Sequence, residues 1–83
     1  MTYVSGVNKV MKTYYAIVPI NDGYNYVCKN PNGLHFLKSK EDRFINNSLI
    51  FESSIDAAAY ILDNLDADKY KFEKWKLSEK EVH

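Results

Sequence analysis

Histidine, cysteine and glycine are scarce in this chain, and each shortage removes a class of chemistry. His35 and His83 are the only histidines and Cys28 is the only cysteine. A catalytic triad or a metal centre needs several such groups converging from fixed elements. A single cysteine also excludes an internal disulfide and fits a reducing compartment. Gly6, Gly23 and Gly33 stand alone, so no glycine-rich loop is available to cradle a phosphate. Asp63, Asp66 and Asp68 lack the spacing and the sharp turn of a calcium loop. No apolar run approaches the length of about 18 residues that a membrane span needs, and no signal-peptide core follows the first residues. Eleven basic and eleven acidic side chains cancel, and Arg43 is the only arginine, so no overall field draws the chain to nucleic acid or to an anionic membrane. The expectation is a cytoplasmic protein that is not an enzyme and uses no cofactor or metal.

What is present is apolar and aromatic. Hydrophobic residues make up 46% and aromatics 14% of 83 residues, enough to fill one core and too much for a disordered segment. A chain of this size buries only about 60–65% of its unfolded surface, so there is no room for a second domain. The boundaries read as an N-terminal extension over 1–11, a single domain over 12–77 and a charged tail over 78–83. Lys, Asn, Tyr and Ile are abundant, a bias that AT-rich codons would produce.

Tyr14 to Ile20 is rich in β-branched and aromatic residues and reads as a strand. Asn21-Asp22-Gly23 then supplies a turn, with glycine at the position that favours positive φ. A three-residue loop would set Ile20 opposite Tyr24, Val18 opposite Tyr26 and Ala16 opposite Cys28, matching apolar residues on one face. A two-residue loop divides the faces less cleanly. Pro19 can donate no ladder hydrogen bond, which points to an edge or a bulge. Asn30-Pro31-Asn32-Gly33 forms the second turn, and Leu34 to Lys38 the third strand, with Phe36 opposite Cys28. Ala16, Val18, Ile20, Tyr24, Tyr26, Cys28, Leu34 and Phe36 then share a core face. The opposite face carries Tyr15, Ile17, Val27 and Leu37, more apolar than a solvated sheet normally shows. Either residues 1–11 or 38–51 cover it, or it is a patch that meets a partner or a second copy. Phe44 and Ile45 are candidate anchors in the polar loop, and Leu49 to Phe51 is a short strand or a connector.

A helix follows. Ser53 or Ser54 caps it, Asp56 suits its first turn, and Ala57, Ala58 and Ala59 give it strong propensity. At 100° per residue Ile55, Ala58, Ala59, Leu62 and Leu65 form an inward stripe, with Asp56, Tyr60, Asp63 and Asn64 facing water. The fold class is therefore α+β: a three-stranded antiparallel meander, a helix packed on one face, and a C-terminal strand beside the first.

That last strand, Lys69 to Leu77, alternates at period two and then slips phase near Glu73 and Lys74. Tyr70 and Phe72 fall on one face, Trp75 and Leu77 on the other. A bulge would bring all four inward. Without it Trp75 joins the patch of Tyr15 and Ile17, and the apolar surplus there favours this second arrangement. From Glu52 to Asp68 there are five carboxylates and no base, followed by the lysine-rich strand. Asp56, Tyr60 and Asp63 form an acidic helix face with a central aromatic suited to docking on a protein. Protein binding through Tyr60, Asp56, Asp63, Trp75, Tyr15 and Ile17 is the leading functional expectation. Single-stranded nucleic acid held by Lys71, Lys74 and Lys76 around Trp75 comes second, although lysines on a strand also serve simply to prevent edge-to-edge aggregation. A homodimerisation module comes third.

Phe51-Glu52-Ser53-Ser54-Ile55-Asp56-Ala57-Ala58, followed by Tyr60-Ile61 and a helix-to-strand passage, resembles the ends of small orphan proteins of phages and prophages of low-GC Gram-positive bacteria. The resemblance covers some thirty residues and carries over no binding or catalytic residue. It implies a protein that binds a host or phage protein, as an accessory factor or as an inhibitor of a defence system such as a CRISPR effector.

Overall fold

The computed structural model describes residues 11–42 and 49–78. The expected N-terminal extension, the anchors Phe44 and Ile45 and the charged tail lie outside these residues, except that Met11 opens the first strand and Ser78 closes the last. The elements are β1 (Met11–Pro19), β2 (Asn25–Lys29), β3 (His35–Ser39), a 3-10 turn at Lys40–Asp42, β4 (Ile50–Phe51), α1 (Ser54–Asn64) and β5 (Tyr70–Ser78). The α+β class holds, with antiparallel strands and one helix. No helix among the described residues is long and apolar enough to cross a membrane.

The strands form two sheets, ordered β4-β1-β5 and β2-β3. β5 lies antiparallel to β1 as expected, from Met11 opposite Ser78 to Pro19 opposite Tyr70. The register is unbroken, so there is no bulge at Glu73. In the β2-β3 hairpin Phe36 stands opposite Cys28, also as expected. Gly33 closes its turn with a φ of 87°, the left-handed conformation that glycine adopts without strain.

The ladder expected between β1 and β2 is not among the pairings, although the two strands are in contact. The backbone explains this. Ile20 N–H donates to the Lys69 carbonyl at 2.9 Å. Hydrogen-bonded pairs recur at every second residue of an antiparallel ladder. Tyr14, Ala16 and Val18 therefore direct their backbone groups to β5, and Tyr15, Ile17 and Pro19 direct theirs to the other side. There Tyr15 meets Phe51 of β4, and Pro19 has no N–H to give. Gly23 does not adopt a positive φ; Asp22 builds that turn, its carboxylate accepting from Tyr24 N–H at 2.9 Å and Asn25 Nδ2 at 2.6 Å. The Tyr24 amide, with help from Asn25 and Lys40, holds the Asp22 carboxyl below its ordinary range.

Apolar side chains fill both faces of β1. Ala16, Val18, Tyr26, Cys28, Trp75 and Leu77 form one buried cluster, flanked by Tyr14 and Ile50. Ile17, Val27 and Ile61 form the second, with Leu49, Phe51, Tyr60, Leu65 and Tyr70 around them. The helix covers this second face, together with Leu49 and Phe51 from the 38–51 segment, one of its two possible covers, and Ile17 is wholly buried there. In contrast Ile20, Tyr24, Leu34 and Phe36, expected in the core, are exposed. They sit at the strand ends and on β3, which no further strand flanks among the described residues.

Candidate functional site

The helix is where sequence periodicity and structure part most clearly, and the difference creates a groove. Ser53 caps it, its Oγ accepting from Ile55 N–H at 3.1 Å and Asp56 N–H at 3.3 Å. Ala57 and Ile61 are buried, whereas Ile55 is 77% and Leu62 72% exposed, with Ala59 exposed between them. The helix is thus turned by about one residue, ~100°, from the expected stripe. Tyr60 accounts for the rotation. Read as polar, it in fact lays its ring 5.5 Å from that of Phe51, and its hydroxyl lies 2.7 Å from His35 Nε2. A tyrosine offers more area to bury than Ile55 while its polar tip keeps a partner. Burial raises the Tyr60 phenol pKa.

Leu62, left in solvent by this rotation, lines an open groove of about 370 Å³ between α1 and β5. Ala58 and Ile61 join it from the helix, Tyr70, Lys71 and Phe72 from the strand, and Ala67 from the segment between them. Phe72 is 40% exposed and meets the Tyr15 ring edge-on at 5.7 Å. Asp66 places the strand against the helix: its carbonyl accepts from Lys69 N–H at 2.9 Å and Tyr70 N–H at 3.1 Å, and its carboxylate from Asp68 N–H at 2.9 Å.

Of the residues expected to bind protein, Asp56 and Asp63 are exposed, on the helix flank away from the groove. Tyr60 and Tyr15 are half-buried. Ile17 and Trp75 are buried, which corrects the expectation that they line a surface. Trp75 is only 6% exposed and lies on the face away from the helix, its ring 5.1 Å from that of Tyr26. The strand simply serves opposite cores with its two halves. Lys71 shares the Trp75 face, whereas Lys74 and Lys76 lie on the helix face, so the three lysines do not surround an accessible indole. Leu62 and Phe72, exposed apolar residues of the groove, do not read as a site in the sequence. The signal for them was the competing stripe of Ala57, Tyr60 and Ile61 on the same helix.

Glu73 ties the Trp75 face together. Its carboxylate accepts from Trp75 Nε1 at 2.8 Å and pairs with Lys40 Nζ at 2.9 Å. Partial desolvation raises the carboxyl pKa, but the Trp75 and Lys40 hydrogen bonds and the charges of Lys40 and Lys71 outweigh it, leaving a net lowering. A carboxyl lowered on folding adds stability above its unfolded pKa of about 4.5 and loses it as pH falls through the folded value. Urea midpoints of the native chain should therefore fall on acidification below about pH 4.5, more steeply than those of Glu73→Gln. Parallel pH profiles would show that Glu73 makes no such contribution.

Among the described residues no three His, Cys, Asp or Glu side chains gather as metal ligands. Comparison with known proteins gives no matching family model, no matching curated protein and no matching solved structure.

Proposed function

We propose that this chain is a non-catalytic protein-binding module that takes an apolar segment of its partner into the groove between α1 and β5. The observation that carries this reading is the exposure of Leu62 and Phe72 in that groove. A domain this small has little apolar area to spare from its core, and exposed apolar patches mark interaction sites. The resemblance of the 51–61 segment to small phage proteins adds the partner's nature: a host protein such as a defence nuclease, with the chain as a phage-encoded inhibitor or accessory factor.

Leu62→Lys tests the reading, because an exposed residue can be changed with a stability cost within about 0.5 kcal/mol. A tagged native chain should retain a partner from its own cell that the variant loses, and the purified pair should bind at least about tenfold more weakly with the variant. An unchanged affinity in Leu62→Lys and Phe72→Glu alike would overturn the proposal.

A further inference from the structure

The groove lies beside an open backbone edge. Among the described residues β5 pairs only with β1, and nothing pairs with its outer side. The bond from Ile20 N–H to the Lys69 carbonyl sets the phase of the ladder, so Lys71 and Glu73 turn their backbone groups toward β1. Phe72 and Lys74 turn theirs outward, Phe72 on the groove wall. Among the described residues no strand pairs with this N–H and C=O edge, which stands next to an apolar trough, and each would satisfy a different part of the same ligand.

We propose that the partner segment binds as an added antiparallel β-strand on the outer edge of β5, with an acidic and apolar alternation. This rests on the protein-binding reading and states its geometry. The ligand residue opposite Phe72 would exchange two backbone hydrogen bonds with it and point its side chain onto the helix face, between Phe72 and Leu62. The residue opposite Tyr70 lands on the same face and is also apolar. Residues opposite Lys71 and Lys74 meet the ammonium groups of these exposed lysines and are acidic. Read from its own N-terminus, the segment is acidic, any residue, apolar, acidic, apolar. A second copy of β5 fits this edge poorly. The strand carries Lys71, Lys74 and Lys76 against one carboxylate, Glu73, which Lys40 already engages, so two copies would set surplus lysine against lysine. Lysines on a sheet edge oppose such self-pairing while leaving an acidic strand welcome.

The probe is a labelled peptide, Ser-Glu-Thr-Val-Glu-Leu-Ser, titrated up to about 1 mM against the full chain. It should bind, slow hydrogen exchange of the Phe72 amide at least tenfold at saturation, and leave the Lys71 amide, already in the β1 ladder, unaffected. N-methylation of its valine, which removes the donor facing the Phe72 carbonyl, should weaken binding at least tenfold. So should Leu62→Lys, and so should lysine in place of both glutamates. Absence of binding, indifference to N-methylation, or equal binding of the lysine peptide would overturn strand addition, as would a dimer that protects Phe72 without peptide. If a natural partner depends on Leu62 yet leaves the Phe72 amide unprotected, strand addition falls and the protein-binding reading stands.

Discussion

Trp75→Ala should destabilise the fold by about 3–5 kcal/mol, the range for removing a large aromatic from a core. At ~0.05–0.15 kcal/mol per residue a chain of this length has roughly 4–12 kcal/mol in total, so the variant would keep only a fraction of it. Two losses add. The indole leaves a void against Tyr26 between β5 and the β2-β3 hairpin, which no backbone ladder ties to β1. Glu73 also loses its indole donor and must hold its partly desolvated charge with Lys40. Trp75→Phe separates the two, because it keeps a ring on Tyr26 and forfeits the hydrogen bond to a charged acceptor, typically about 1.5–3 kcal/mol. Urea unfolding followed by circular dichroism measures both. An alanine effect below about 1 kcal/mol would mean that Trp75 does not support this core.

Ile61→Ala and Leu62→Ala, adjacent and nearly equal in hydrophobicity, should differ sharply. Ile61 sits in the cluster with Ile17 and Val27, and its truncation should cost about 2–5 kcal/mol. Leu62 is largely in solvent, and its truncation should stay within about 0.5 kcal/mol. The same urea experiment decides between them. Equal losses, or the reverse order, would restore the helix orientation that simple periodicity favours.

That pair of residues also shows what the amino-acid order discloses and where it stops. The helix and its serine cap follow from local chemistry: a hydroxyl before three alanines and an acidic first turn. The Asn30–Gly33 turn and the pairing of Cys28 with Phe36 follow in the same way, because a glycine corner sets the register of the strands it joins. That the terminal segment is a strand follows from its alternation. Helix rotation does not, since two apolar stripes compete on α1 and the choice depends on Phe51 and His35, which only tertiary contact brings to Tyr60. The phase slip in β5 was visible, but its meaning depended on whether the sheet has one buried face or two. Ile17 and Trp75 read as outward because alternation alone implies a single core face. The groove was missed for the same reason, being lined by residues assigned to that core.

The central position of β1 has a consequence for how the chain assembles. Its long ladder is with β5, and Met11 faces Ser78 across it, so the largest pairing in the molecule joins segments from opposite ends of the described chain. Such a contact closes a long loop before any of its hydrogen bonds form, which costs entropy and slows folding. During synthesis β1 emerges first and must wait, unpaired along that side, until β5 has left the ribosome. The hairpin of β2 and β3 and the helix can form while it waits, but neither Trp75 nor Leu77 is yet present to complete the first cluster. The strand whose outer edge is unpaired among the described residues is thus the same one whose inner edge finishes the fold.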